Sequence, residues 1–237
     1  MRTPFDGATC SAPDARAGWM RDIVIAHAPH DRPIHVLDVG CGTGALALQL
    51  ATALPLASVT GVDISPANIS VAAREVDGPA RGRIRFERAD YLQYDAPPVD
   101  VIVTDTVLHF IPGRREVLWR KLGRDLQSGG VLVCCMAFDC VHNRLLGVMR
   151  RGLRLARSAP FDALLLAAAR RAHGRQLSDA LLRERTEYMY IPPEQFMSAG
   201  VRDALAPAFG LRAVAEQGVA AASATQLKQR VTVFRKD

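Results

Sequence analysis

Short apolar, β-branched runs recur along the chain, and segments with helical spacing of apolar residues separate them. A run of this length bounded by turn residues predicts a buried strand. An N-cap serine and a proline at Ser65-Pro66 mark the start of one intervening helix. Strand and helix in alternation predict a mostly parallel sheet with right-handed crossovers. The predicted strands are 34–39, 59–63, 84–88, 99–104 and 131–138, and helices are predicted at 14–27, 45–54, 66–77 and around 118–126.

This alternation stops after the fifth strand. Residues 140–187 are rich in Leu, Ala and Arg and show no strand pattern, a helix can start at Glu194, and 211–217 and 230–235 read as two last strands. The pattern predicts one α/β domain over 1–237. Its parts are an N-terminal helical segment (1–33), a ligand-binding core (34–139), a helical insertion or lid (140–190) and the C-terminal part of the core (191–237).

The first strand runs into three glycines, Gly40, Gly42 and Gly44, and a helix begins at once. Glycine permits the positive φ angles of a sharp turn, and the helix N-terminus offers free N–H groups to a carboxylate or a diphosphate. Asp63 ends the second strand, where a carboxylate can accept hydrogen bonds from both ribose hydroxyls. A dinucleotide site would require G-x-G-x-x-G, and the spacing here differs because position 45 is Ala.

These motifs resemble those of the class I S-adenosylmethionine-dependent methyltransferases. VLDVGCGTG at 36–44 matches the first family motif, and GVDIS (61–65), RADY (88–91), the fourth strand from 99 and LQSGGVLV (126–133) are similar to the others. The resemblance implies a Rossmann-like fold with a seven-stranded sheet and helices on both faces. It implies S-adenosyl-L-methionine as cofactor and S-adenosyl-L-homocysteine as product. The cofactor-binding residues that it implies are Asp38, Gly40, Cys41, Gly42, Gly44, Asp63, Ile64, Asp90, Tyr91, Thr104 and Asp105.

Candidate catalytic chemistry follows the fourth strand. His109 stands close to where the resemblance puts the methyl group, and an ordinary histidine pKa suits a general base, although packing or capping is the alternative. Tyr188 and Tyr190 are candidate acceptor-binding residues at the rim. No metal is expected, because Cys134 and Cys135 read as buried thiols at a strand end and the acids of metal-dependent catechol enzymes are not evident.

Positive charge is concentrated in the insertion. Residues 144–185 hold ten arginines and three acids, a net charge of +7 within a chain whose formal charge is +6. Three interpretations stay open: a solvated face, attraction of an acidic acceptor, or contact with a membrane surface or partner.

The expected function is methyl transfer to an O or N atom of a small-molecule acceptor, in secondary metabolism. The alternatives are an RNA or protein methyltransferase and a subunit that binds S-adenosylmethionine without transferring its methyl. A nucleic-acid partner is not expected, since no accessory binding module is visible. The chain has no ~20-residue apolar run, no signal-like start and an odd number of cysteines, five, so we expect a cytoplasmic monomer or homodimer without a membrane span.

Overall fold

Seven strands form one sheet in the order β3-β2-β1-β4-β5-β7-β6. The computed structural model describes residues 14–76, 81–95, 97–173, 178–220 and 225–237. Strands β1 to β5 run parallel, and β7 lies antiparallel between β5 and β6. The fold class that the sequence predicts is therefore confirmed. The strands are β1 (Ile34–Val39), β2 (Ala57–Asp63), β3 (Ile84–Arg88), β4 (Val99–Asp105), β5 (Leu126–Ala137), β6 (Leu211–Val219) and β7 (Gln229–Lys236).

Helices cover both faces of the sheet. In α3, the Ser65 hydroxyl accepts a hydrogen bond from the Asn68 backbone amide, so the predicted N-cap is confirmed. None of the helices in the described residues is long and apolar enough to span a bilayer. The helices are α1 (Asp14–His27), α2 (Ala45–Ala53), α3 (Pro66–Glu75), α4 (Arg115–Asp125), α5 (Val141–Leu155), α6 (Ala159–His173) and α7 (Asp179–Tyr188).

Residues of the central strands alternate between two buried clusters. Val36 packs with α1 and α2, whereas Leu37 and Val39 pack with the α4 side of the sheet. Side chains two residues apart share a face of a strand. Asp38 and Asp105 therefore lie on the α1-facing side of β1 and β4, continuing the rows of Val36 and Val103. This register determines which polar groups meet at the end of the sheet.

Strands β1 and β4 are neighbours although two strands separate them in sequence. Chain order reverses between them, and ligands of open α/β sheets bind in the crevice at such a reversal, beyond the carboxyl ends of the strands. The glycine turn after β1 and the segment after β4 both leave from this edge. The topology thus positions the site that the next section describes.

The insertion consists of α5, α6 and α7, between β5 and β6. Among the apolar side chains of the insertion, Leu146 is buried. Leu145, Val148 and Leu164 are exposed, each with 64% or more of its surface accessible. In this arrangement α5 packs by one face only and its opposite face meets solvent.

The prediction that a helix starts at Glu194 is wrong. Residues 191–198 run without helix, and Met197 forms a bridge with Phe138 at the end of β5. The Glu194 amide donates a 2.7 Å hydrogen bond to the His109 carbonyl. A helical segment begins only beyond Ser198 and includes a π-helical turn at Val201–Leu205. Tertiary hydrogen bonds to the neighbouring strand end replace the intrahelical ones that local sequence favoured.

Candidate cofactor-binding site

All three glycines after β1 adopt positive φ angles: 72° at Gly40, 55° at Gly42 and 87° at Gly44. Other L-residues rarely adopt such angles. A β-carbon on Gly40 would also overlap the methyl carbons of Val107, which follows β4. Gly44 is the N-cap of α2, so the turn delivers the chain directly into a helix N-terminus. The turn is therefore narrow, carries no side chain at its three glycines and leads into the free N–H groups of a helix N-terminus.

Asp63 joins the first two motifs. One carboxylate oxygen accepts a hydrogen bond from the Gly42 amide at 2.9 Å. The other accepts from the Ser65 amide at 2.8 Å and from the Asn68 side chain at 3.3 Å. A carboxylate has about four acceptor positions, so Asp63 retains capacity for a ligand hydroxyl while holding the turn. Its position at the end of β2 is compatible with the predicted ribose contact.

Asp38 is buried with an unsatisfied oxygen. The residue is 2% exposed and its Oδ2 atom has no hydrogen-bond partner in the described structure. Burial, together with the charges of Asp105 and Asp63, raises its pKa to about 8. Thr104 on the neighbouring strand also has a buried hydroxyl oxygen that lacks a partner. Unsatisfied buried polar atoms are uncommon in folded proteins, and the unpaired Asp38 oxygen beside the glycine turn is available to a cationic group of a ligand.

Arg16 of α1 reaches across the same edge to Asp105. Its guanidinium donates to both carboxylate oxygens, at 2.9 and 2.6 Å, and also contacts the Cys135 sulfur and the Gln229 amide oxygen. Sequence reasoning missed Arg16, because 89 residues separate it from Asp105. The alternation of side chains along β4 and β5 places Asp105 and Cys135 on the face that α1 covers. This alternation could have indicated that a cation on α1 pairs with Asp105.

Thr106, directly after β4, has a φ angle of 64°. A β-branched residue in the left-handed region is an outlier that stores about 1–3 kcal/mol of backbone strain. Its amide donates to the Cys135 carbonyl at 2.8 Å, which holds the sharp turn. The turn sends the chain from Asp105 back over the glycine turn, where Val107 contacts the space above Gly40. Strain of this kind concentrates at functional sites.

The charge of this edge suits a cationic ligand. The carboxylates of Asp63 and Asp105 lie close enough to Asp38 to add to the effect of burial on its pKa. Arg16 neutralises the charge of Asp105. S-adenosylmethionine carries a sulfonium and an ammonium cation, and its carboxylate matches the N–H groups of the glycine turn. The residues present therefore fit this cofactor.

The remaining predicted cofactor residues are placed differently. Asp90 caps its own turn by accepting from the Leu92 amide at 3.0 Å. Tyr91 is buried in the cluster on the α4 side, with the Lys121 ammonium 4.7 Å from its ring centre. The structure therefore does not bring its ring to the open edge. Cys41 is buried beside the turn, and Ile64 is half-buried.

His109 lies beyond this edge, on a short 3₁₀ turn at Leu108–Phe110, and is 1% exposed. Burial, aided by the positive charge of Arg150, lowers its pKa to about 3. The Ala137 amide approaches its Nδ1 atom at 3.4 Å. A ring that stays neutral and accepts from the backbone fits packing and positioning better than proton abstraction, so the geometry does not favour the predicted general base.

The two candidate acceptor tyrosines differ. The Tyr190 hydroxyl donates to Asp162 at 2.6 Å, and the ring lies under the Arg157 guanidinium. Both polar contacts of Tyr190 are therefore with residues of the insertion itself. Tyr188 is half-buried with its ring 6.4 Å from that of Phe110, the neighbour of His109. Tyr188 thus lies on the side of the insertion nearer to the segment after β4.

Three exposed arginines of the insertion form ion pairs. Arg157 forms an ion pair with Glu187, and Arg170 forms one with Asp179. Arg144 pairs with Asp139 just outside the insertion helices. Asp179 is already counted in the net charge of +7 over 144–185, so the insertion stays strongly positive despite these pairs.

Comparison with known proteins agrees with this geometry. Residues 36–130 match the family model of a methyltransferase domain. A trans-aconitate 2-methyltransferase of Methylobacterium nodulans is 34% identical over 147 residues, covering 62% of this chain and 53% of that protein. A carboxy-S-adenosyl-L-methionine synthase of Dichelobacter nodosus is 36% identical over 101 residues, covering 42% of this chain and 43% of that protein. The chain thus spans about half the length of these relatives or less.

A solved structure extends the match to the whole fold. Magnesium protoporphyrin IX methyltransferase from Synechocystis PCC 6803, with bound S-adenosylhomocysteine, superposes with a TM-score of 0.61 at 16% identity. The match covers 94% of this chain and 83% of that one. Together with the glycine turn, the acid that ends β2 and the strand order, these matches identify residues 36–130 as a methyltransferase domain of the class I S-adenosylmethionine-dependent type.

Proposed function

We propose that this protein transfers the methyl group of S-adenosylmethionine to an O or N atom of a small-molecule acceptor, in secondary metabolism. One observation carries the proposal: a buried, unpaired Asp38 oxygen beside two further carboxylates, next to a turn of N–H groups. That combination complements a ligand with adjacent cationic and anionic groups. The ammonium would be held by Asp38, the ribose by Asp63, and the carboxylate by the amides of the glycine turn.

When bound, S-adenosylmethionine supplies a strongly electrophilic methyl group. The protein then needs to align a nucleophile and exclude water, and alignment alone can lower the barrier by several kcal/mol. Thr106 and Val107 form the segment that closes over the glycine turn. Arg16 would hold the adjacent end of β4 in place through Asp105.

The environment of His109 restricts the acceptor. An alcohol needs a base to remove its proton, whereas a carboxylate or a neutral amine does not. A histidine whose pKa is about 3 has little tendency to accept a proton at neutral pH. We therefore infer that the acceptor atom is already unprotonated when it attacks, and that His109 shapes the wall against which the acceptor lies.

The alternatives receive less support. An RNA acceptor would need free cationic groups for phosphate contacts, and exposed arginines such as Arg154 and Arg171 form no ion pair with the described residues. No accessory nucleic-acid module is visible in the sequence, and a salt titration of RNA binding tests this alternative. A non-catalytic binding subunit would bind the cofactor without forming a methylated product, which the labelling experiment below detects. The name of the Methylobacterium nodulans relative indicates trans-aconitate, a tricarboxylate, as the first acceptor to test.

The proposal is tested in two steps. Calorimetry with S-adenosylmethionine should detect binding to the wild type, and Asp63→Asn should weaken it by about tenfold or more, because a hydrogen bond to a charged group contributes roughly 1.5–3 kcal/mol. Glu87→Gln, at the end of the next strand, is the matched control. Incubation with methyl-labelled cofactor and trans-aconitate, followed by a screen of small amines and acids, should yield a labelled product. Binding without transfer to any acceptor would favour the non-catalytic alternative.

A further inference from the structure

Arg150, in the middle of α5, is a buried arginine without a counter-ion among the described residues. It is 5% exposed, and its guanidinium forms no ion pair with a carboxylate of that part of the chain. Buried arginines are almost always paired, because an uncompensated charge in a low-dielectric interior is costly. Burial lowers the pKa of Arg150, and no acidic neighbour offsets that effect.

The hydrogen bonds that Arg150 does form are few and long. Its two terminal nitrogens contact the backbone carbonyls of Ile191 and Thr225, each at 3.3 Å. Typical N–H···O distances are about 2.7–3.2 Å, so these contacts are weak. The Nε atom is buried and has no partner in the described structure. A guanidinium has five donors, and most of those here are unused.

Three other arginines of the insertion show the opposite pattern. Arg144, Arg157 and Arg170 are exposed, yet each binds a carboxylate at 2.7 Å or less. Surface ion pairs of this kind contribute little to stability. These acids thus neutralise charges that water could solvate, and they leave the buried charge of Arg150 unpaired. A structural role alone does not account for this distribution.

Arg150 also lies beside the region where an acceptor is expected. Its charge acts on His109, the residue that follows β4 and precedes Phe110. The carbonyl of His109 in turn accepts a hydrogen bond from Glu194, three residues after the Ile191 carbonyl that Arg150 contacts. Tyr188 packs against Phe110 from the same insertion. The guanidinium is therefore adjacent to the segment that leaves the cofactor edge.

We propose that Arg150 binds a carboxylate group of the methyl acceptor, which makes the acceptor a carboxylic acid. The planar guanidinium would bind both oxygens of the carboxylate through two parallel hydrogen bonds and exchange its long carbonyl contacts for them. This inference rests on the proposed function, since it names the substrate class of that site. The carboxylate could alternatively belong to the cofactor itself, so the experiment separates the two sources.

The test compares carboxylates with neutral amides of the same shape. Wild type saturated with S-adenosylhomocysteine is titrated with acetate, succinate and citrate, and with acetamide and succinamide, at matched ionic strength. Calorimetry and thermal shift should detect the carboxylates at lower concentration than the amides. Arg150→Gln should weaken carboxylate binding by about tenfold or more, as expected when a charge-assisted contact is lost. Arg154→Gln, an exposed arginine on the same helix, should leave it unchanged.

Several results would overturn the proposal. Equal binding of carboxylates and amides to the wild type would do so, as would an unaltered carboxylate response in folded Arg150→Gln. A loss of S-adenosylhomocysteine affinity in that variant would instead assign Arg150 to the cofactor. If Arg150→Gln does not fold, Arg150→Lys, which keeps the charge but lacks the planar fork, is compared with Arg154→Lys in the same assay. Binding of S-adenosylhomocysteine is measured separately. If the cofactor does not bind to the wild type, the proposed function itself fails, whatever the carboxylates do.

Discussion

Arg16 on α1 and Asp105 at the end of β4 form a two-point ion pair, with N···O distances of 2.9 and 2.6 Å. Both side chains are mostly buried, at 19% and 13% exposure. The pair fixes the first described helix to the carboxyl edge of the central strands. It also neutralises one of the three carboxylates that converge on the cofactor edge.

Removing this contact should destabilise the protein. Arg16→Gln leaves the Asp105 carboxylate without its cation, so we expect a loss of roughly 1.5–3 kcal/mol in the free energy of unfolding, measured by urea denaturation. The double variant Arg16→Gln/Asp105→Asn should recover part of the loss, because no unpaired charge remains. Arg21→Gln, whose partner Asp22 is its exposed sequence neighbour, is the control and should have little effect. Equal effects of Arg16→Gln and Arg21→Gln would contradict the proposed role.

Asp38 should make both cofactor affinity and stability depend on pH. Its carboxyl pKa is about 8 in the free protein, so binding of a cationic ammonium should strengthen as pH rises from about 6 to about 7.5 and Asp38 begins to ionise. Above that pH an α-amino group, with an ordinary pKa of about 7.7–8.0, loses its own charge and the gain should level off. Asp38→Asn should bind S-adenosylmethionine more weakly and lose this pH dependence. Calorimetry across the pH range measures both, and an unchanged wild-type affinity over that range would contradict the assignment.

The pH dependence of the free energy of unfolding, measured without cofactor, tests the raised pKa of Asp38 independently. The folded state holds the Asp38 proton more tightly than the unfolded chain, where the carboxyl pKa is about 3.9. The free energy of unfolding should therefore fall as pH rises between those two values. Asp38→Asn removes this contribution, so the variant should lose less stability than the wild type over the same window. Thermal denaturation at matched ionic strength detects the difference.

His109 should matter for geometry rather than for proton transfer. His109→Gln retains an oxygen that can accept from the Ala137 amide, and we expect kcat to fall by less than about tenfold, compared with the ~10²–10⁴-fold typical of a lost general base. The kcat of the wild type should show no step near pH 6.5, because burial lowers the pKa of His109 to about 3. A hundredfold loss accompanied by disappearance of an acidic limb would restore the general-base hypothesis.

Gly40 should tolerate no side chain. In Gly40→Ala the β-carbon meets Val107 and the φ angle of 72° is unfavourable, so we expect destabilisation of at least about 1–2 kcal/mol and weakened cofactor binding. Gly152→Ala, on the exposed side of α5 with nothing near the added carbon, is the matched control. It should stabilise the protein by up to about 1 kcal/mol through helix propensity. Chemical denaturation of both variants compares the two effects directly.

The sequence by itself determined the elements and the cofactor motif. Strand and helix periodicity is local, and the three glycines, Asp38 and Asp63 are read from the chain because a turn and a strand end need nothing beyond their own neighbours. The alternation of strand and helix predicted a mostly parallel sheet with right-handed crossovers, and the structure supplies the strand order. Local patterns sufficed wherever backbone conformation alone decides the outcome.

Only the tertiary structure decided which distant side chains meet. The pairing of Arg16 with Asp105, the burial of Tyr91 under Lys121 and the unpaired charge of Arg150 all depend on contacts between separate elements. The same is true of His109, whose low pKa arises from burial that its immediate neighbours do not reveal. The helix predicted at Glu194 failed for this reason as well, since a hydrogen bond to the His109 carbonyl outweighed local propensity. Solvent exclusion and charge pairing are properties of the packed chain, and no local sequence pattern encodes them.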